Sequence, residues 1–165
     1  MLVGNAGEFF VLAELTRRSW TAALTARNNH AFDIMAAKGD VSVKLRVKTK
    51  TRMSDVFQWN AKKDGAIFLE LSKSNDFCVL VDIPLDETGP AYYVVPTHVI
   101  DSWLRKDFDT WLKTPGAKGQ AHSADNSRRL FYADAEDSRL GHGYAMKLKP
   151  YLNAWRLLEQ NRNPG

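Results

Sequence analysis

The sequence predicts an α/β domain of three layers, in which a mixed central sheet is flanked by helices. Two observations carry this prediction. Apolar residues recur at helical spacing in 5–18 and 97–112, and the segments between them contain apolar runs of strand length. A chain of 165 residues with 44% hydrophobic and 25% charged residues suits one globular domain, which we expect to span 1–165.

The first element is predicted to be a helix over 5–18. Asn5 is a plausible N-cap, which would put Glu8 in the first helical turn, and Arg17 and Arg18 suit the C-terminal end. The apolar residues near helical spacing are Phe9, Phe10, Leu12, Ala13 and Leu15.

The segments that follow this helix are predicted to form strands. Short strands are predicted at 20–25 and 32–36, and Lys38-Gly39-Asp40 has the composition of a turn. The next segment alternates strictly, which predicts a strand with one buried face and one cationic face. Its apolar residues are Val41, Val43, Leu45 and Val47, and its polar residues are Ser42, Lys44, Arg46 and Lys48.

The remaining elements are predicted from composition and from short apolar runs. Residues 50–65 are interpreted as a long loop or hairpin, in which Gln58 and Trp59 either contact DNA or fold back on the core. Further strands are expected at 66–71, 77–83, 91–95 and 129–132, a loop at 114–127, and a closing helix at 151–159.

The net charge of +4 is modest, but basic residues concentrate between 38 and 52, where Asp40 is the one acid. Such a run is either a solvated edge strand or a phosphate-binding surface. On the second interpretation Lys44, Arg46, Lys50 and Arg52 contact DNA.

The single cysteine, Cys78, excludes an internal disulfide and lies in an apolar run, so we expect it to be a small core residue. The segment at the start lacks the features of a secretion signal, and no run of about 20 apolar residues is present. These features favour a cytoplasmic protein without a membrane span.

Three segments, in this order, carry a resemblance to a known family: Gly4-Asn5-Ala6-Gly7-Glu8, then Asp33, then Leu45-Arg46-Val47-Lys48-Thr49. The chain resembles the PD-(D/E)XK nuclease-like superfamily, and within it the group of Holliday-junction resolvases and uncharacterised prokaryotic or phage proteins. The resemblance implies a restriction-endonuclease-like core and a metal-dependent DNA endonuclease that uses Mg²⁺ or Mn²⁺.

The resemblance also implies roles for individual residues. Asp33 would be the first metal ligand, and Val47 would offer its backbone carbonyl. Lys48 would orient the attacking water or stabilise the oxyanion, and Glu8 would hold an outer-sphere water or a second ion. Many nucleases of this type act as dimers, so a homodimer is a further expectation.

One position departs from the family pattern, because Arg46 stands where the family has Glu or Gln. A guanidinium offers no lone pair to a metal, so we expect Arg46 to pair with Asp33 and fill the place of the metal. Glu14 or Glu70 would then be the candidates for a relocated acid. Two alternatives to the enzyme stay open: a catalytically inactive nucleic-acid-binding module, and a protein-interaction subunit on the same fold.

Overall fold

The computed structural model describes residues 2–26, 31–51, 56–62, 65–68, 76–84, 86, 88–133 and 143–160. Helix α1 (Leu2–Arg17) precedes strands β1 (Thr21–Leu24), β2 (Ile34–Lys38), β3 (Val41–Thr51), β4 (Val56–Asn60), β5 (Asp76–Ile83) and β6 (Ala91–Pro96). Helix α2 (Thr97–Lys113), strand β7 (Arg128–Tyr132), helix α3 (Ala145–Leu148) and two 3₁₀ turns (Lys149–Tyr151 and Trp155–Glu159) follow.

The main sheet has five strands in the order β1-β2-β3-β5-β6. It is mixed, because β3 and β5 run parallel while the other neighbouring strands are antiparallel. Strand β5 is buried on both faces, which explains its continuous apolar run from Phe77 to Val81. The predicted mixed sheet is therefore confirmed.

Two cores lie on opposite faces of this sheet. Helix α1 packs on the first face through Val11 and Leu15, which join Ile34 and Leu45 in one core. The second face is covered by α2 together with a separate two-stranded ribbon formed by β4 and β7. The three layers match the prediction, except that the second outer layer is part helix and part sheet.

Two sequence predictions about α1 are wrong. The helix begins at Leu2, so Asn5 lies inside it and is not its N-cap, and Glu8 is in the second turn. No proline precedes Asn5, and the helix continues upstream by about a turn through Gly4 and Val3 to Leu2.

Three later elements also differ from the prediction. Residues 56–60 form β4, and the described part of the strand candidate at 66–71, which is 66–68, is not a strand. The closing helix is replaced by the two 3₁₀ turns. Asn153 interrupts it with φ of 50°, because its N–H donates to the Tyr92 carbonyl and Leu152 bridges to Tyr93. Within the described part of the chain, helices are too short or too polar to cross a membrane.

Candidate functional site

Asp33 lies directly before β2 and is fixed to β3 by two hydrogen bonds. Its backbone N–H donates to the Leu45 carbonyl at 2.9 Å, and its carboxylate Oδ2 accepts the Val47 N–H at 2.7 Å. The carboxylate thereby satisfies a strand N–H just beyond the end of the β2–β3 pairing, where Ile34 pairs with Leu45. The side chain retains 18% exposure, so it is held by the fold and still reaches the surface.

Arg46 pairs with this carboxylate, as the sequence predicted. Its Nη1 lies 3.3 Å from Oδ1 of Asp33, and its side chain is 31% exposed. The two residues share a face of the sheet because both lie one position beyond the Ile34–Leu45 pair, whose side chains point into the α1 core. The guanidinium therefore stands beside the carboxylate that was predicted to hold a metal.

Lys48 follows Arg46 on the same face, since side chains two residues apart on a strand point the same way. Its ammonium lies 5.6 Å from the centre of the Trp59 ring, a cation–π contact with the β4–β7 ribbon. Burial lowers the pKa of Lys48, and the charge of Arg46 lowers it further, while Cys78 and Asp33 act in the opposite direction. Asp33, Arg46 and Lys48 thus form one electrostatic cluster, called here the β3 cluster.

The lowered pKa predicts how stability depends on pH. Because the folded-state pKa of Lys48 lies below its ordinary value of 10.5, the unfolded chain binds more protons between the two values, so stability rises with pH through that window. We expect Lys48→Met to raise the free energy of unfolding near neutral pH by about 0.5–1 kcal/mol, by removing a desolvated cation. The gain should shrink as the pH approaches 10.5.

Urea unfolding near neutral pH and at high pH measures this effect. Lys44→Met, on the same strand and half-buried, is the control and should change stability by less than about 0.5 kcal/mol. A Lys48→Met protein that is less stable than wild type near neutral pH would contradict the prediction.

Cys78 is the register partner of Arg46 on β5 and is fully buried. Burial raises the pKa of its thiol to about 12, although the charge of Lys48 acts to lower it. A thiol in this environment is protonated and inert, which agrees with the prediction of a small core residue.

Lys50 is a correction to the predicted DNA-contacting set. It is 3% exposed, and its Nζ lies 2.8 Å from Asp82 Oδ2 and 5.7 Å from the centre of the Phe57 ring. Lys50 lies on the face of β3 that the alternation predicts, but the β4–β7 ribbon covers that end of the face. Lys44 stays half-buried beside the Phe32 ring, at 5.3 Å, and Arg52 lies outside the described residues.

Glu8 belongs to the helix on the opposite face of the sheet. The preceding residue, Gly7, is buried against Thr49, and a Cβ atom at Gly7 would overlap the Thr49 hydroxyl. The titratable groups that act on the pKa of Lys48 are Arg46, Asp33 and Cys78, and Glu8 is not among them. The role of Glu8 at a second ion remains a prediction.

The two candidates for a relocated acid do not complete the β3 cluster. Glu14 accepts hydrogen bonds from Arg17 and Arg18, which lower the pKa of its carboxyl although partial burial opposes this. It is thus engaged on its own helix. Glu70 lies outside the described residues.

A divalent cation requires several oxygen ligands that converge on one point. Here one oxygen of Asp33 accepts a backbone N–H and the other faces Arg46, and Lys48 adds a further cation. Among the residues that the structure describes, no group of three or more His, Cys, Asp or Glu side chains is placed to hold a metal. The residues present at Asp33 therefore do not fit Mg²⁺ or Mn²⁺ in this arrangement.

The sheet face next to the β3 cluster has features that the sequence did not reveal. On β1, β2 and the start of β3, the side chains that point away from α1 are small, apart from Met35, which is 49% exposed. The exposed residues on this open face are Thr21, Ala23, Met35, Ala37 and Ser42. A surface of mostly small, exposed side chains therefore adjoins Lys44 and Arg46.

Comparison with solved structures identifies the fold. The chain is similar to a bacterial homing endonuclease, I-Ssp6803I, with a TM-score of 0.52 and 16% identity over 96% of this chain and 91% of that chain. It also matches the Holliday junction resolvase Hjc of Archaeoglobus fulgidus, with a TM-score of 0.38 and 16% identity over 57% of this chain and 72% of the resolvase. No family model matches the sequence, and no curated protein matches it. The chain has a restriction-endonuclease-like fold.

Proposed function

We propose that this chain, which has a fold shared with DNA endonucleases, binds DNA through the β3 cluster and Lys44, without a metal ion. The observation that carries the proposal is the Arg46–Asp33 ion pair. By the sequence resemblance, this pair has a permanent cation, Arg46, at the position where the nuclease family has Glu or Gln. A guanidinium can bind a phosphate oxygen directly, as a metal ion would.

The surroundings of Arg46 support phosphate binding. Its side chain is 31% exposed, so it is accessible, and the bond from Val47 to Asp33 fixes the carboxylate that orients it. Lys48 carries a partly desolvated charge, which interacts more strongly with an anion than a fully hydrated charge does. The small, exposed side chains beside Lys44 leave room for a bulky polymer.

The binding test uses fluorescence anisotropy with duplex and four-way-junction DNA in the presence of EDTA. We expect Arg46→Gln and Lys48→Gln each to weaken binding about tenfold, the equivalent of about 1.4 kcal/mol. Affinity should fall steeply between about 50 and about 200 mM salt, and each substitution should reduce the slope by about one counterion. Lys106→Gln, an exposed lysine on α2, is the matched control and should bind as wild type does.

The Asp33→Asn variant distinguishes DNA binding without a metal ion from metal-dependent cleavage. The amide still accepts the Val47 N–H but loses the negative charge, so DNA binding should strengthen. Equal binding by wild type and an Arg46→Gln/Lys48→Gln double variant would contradict the proposal. If neither DNA is bound in EDTA, the interpretation as a protein-interaction subunit is favoured instead.

A metal-dependent endonuclease is the second candidate, because the sequence resemblance predicts site roles for Asp33 and Lys48, and Lys48 has a lowered pKa. Plasmid nicking in Mg²⁺ or Mn²⁺ tests it. Nicking by wild type that Asp33→Asn abolishes would establish the enzyme and would require a rearrangement of Arg46. Nicking that appears only in Arg46→Glu or Arg46→Gln would identify Arg46 as the residue that prevents cleavage.

A further inference from the structure

A cavity in the described residues lies away from the β3 cluster. It has a volume of about 660 Å³, is partly open to solvent, and is bordered by α2, the residues after β4, and the turn that precedes β7. Its wall contains none of Asp33, Arg46 and Lys48. Whatever binds here is therefore independent of the proposed DNA surface.

Cations from three separate elements line this cavity. Lys62 follows β4, Arg105 is on α2, and Arg129 is on β7, while the acids of the described wall are Asp109 and Asp125. Positive groups that are distant in sequence but face one cavity are typical of an anion site.

Arg129 is the central cation. It is only 6% exposed, and its guanidinium stacks on the Phe108 ring at 3.4 Å. Nη1 donates to the carbonyls of Asn126, at 2.7 Å, and of Arg128, at 3.1 Å, so the side chain is held in one orientation. Within the described residues Arg129 forms no ion pair with a carboxylate, and Nη1 is its only donor in a hydrogen bond.

The surroundings of Arg129 act on its charge in both directions. Burial lowers the pKa of Arg129, and the charge of Arg105 lowers it further, while Asp109 compensates in part. A desolvated cation near a second cation is costly; Arg105 is itself paired with Asp101 at 2.6 Å, and an anion bound between the two guanidinium groups would offset the remaining cost.

A second cavity of about 290 Å³ adjoins the first, and Phe108, Asn126 and Arg129 line both. Its remaining wall combines the apolar and aromatic residues Leu104, Trp111, Leu130 and Tyr132 with the charged residues Asp107 and Arg128. A cationic cavity beside an aromatic one suits a ligand with an anionic group attached to a flat ring.

We propose that the two cavities bind a nucleotide, with its phosphate held by Arg129, Arg105 and Lys62 and its base in the aromatic cavity. The same chemistry is presented by a free mononucleotide and by the phosphorylated end of a nucleic-acid strand. Because the residues differ from those of the β3 cluster, this site can be tested whether or not that cluster binds DNA.

Isothermal titration with inorganic phosphate, dAMP and a 5′-phosphorylated oligonucleotide tests the proposal on the full chain. Wild type should bind dAMP more tightly than inorganic phosphate, because only dAMP has a base. Arg105→Ala and Lys62→Ala, both at exposed positions, should weaken dAMP binding about three- to tenfold. Lys106→Ala, next to Arg105 but outside the cavity wall, is the control and should leave binding unchanged.

Arg129→Leu should abolish phosphate-dependent binding. It is interpreted only alongside Arg105→Ala and Lys62→Ala, because a buried substitution can also unfold the chain. A phosphorylated oligonucleotide that binds more tightly than both dAMP and its unphosphorylated form identifies a strand end as the ligand, and the opposite order identifies the mononucleotide. Absence of binding to all three probes at millimolar concentration, or equal weakening by Lys106→Ala, overturns the proposal.

Discussion

Asp82→Ala is expected to lower the free energy of unfolding by about 3–5 kcal/mol. The substitution leaves Lys50, whose side chain is 2% exposed, without the carboxylate that lies 2.8 Å from its ammonium. Water cannot replace that carboxylate easily, because Lys50 is enclosed between β3, β5 and the Phe57 ring. Urea unfolding followed by circular dichroism measures the change.

Two further variants separate the ion pair from packing. A Lys50→Met/Asp82→Leu double variant removes both charges and keeps the volume, so it should be far more stable than Asp82→Ala. Glu159→Ala breaks the exposed pair with Lys38, at 2.7 Å, and should cost less than about 1 kcal/mol. If Asp82→Ala costs no more than Glu159→Ala, Lys50 is not confined as the structure has it.

Gly7→Ala is expected to destabilise the chain by about 2–3 kcal/mol. The added Cβ would overlap the Thr49 hydroxyl and lie 2.9 Å from the Thr49 Cβ, which is attached directly to the backbone of β3. Displacement of Thr49 is costly, because it lies in β3, the strand that also carries Arg46 and Lys48. Relief of the clash requires α1 to move away from the sheet.

Gly4→Ala is the matched control, since a Cβ at Gly4 has no atom of the described residues within 4 Å. It should be neutral or stabilise the helix by up to about 1 kcal/mol, as alanine generally does relative to glycine. Thr49→Ala should rescue part of the Gly7→Ala loss by removing the hydroxyl. Similar unfolding midpoints for Gly7→Ala and Gly4→Ala would show that α1 does not dock closely on Thr49.

The sequence by itself determined the elements whose pattern is local. Strict alternation from Val41 to Lys48 fixed β3 and its two faces, and helical spacing fixed α1 and α2 to within a few residues. Arg46 and Asp33 were expected to pair, and they do, because a carboxylate and a guanidinium at adjacent places in a hairpin attract each other. The apolar setting of Cys78 likewise predicted its burial.

Only the tertiary structure decided which polar groups remain accessible. Lys44 and Lys50 are equivalent in the alternation, yet the first is half-buried and the second is sealed beneath the β4–β7 ribbon with Asp82 as its partner. The ribbon pairs residues about 70 positions apart, as Trp59 and Arg129 are, and no local period encodes such a contact. The same pairing brings Trp59 to Lys48 and Arg129 to the cavity beside α2. The burial of a charge depends on the residues that cover it, and here those residues come from distant parts of the chain.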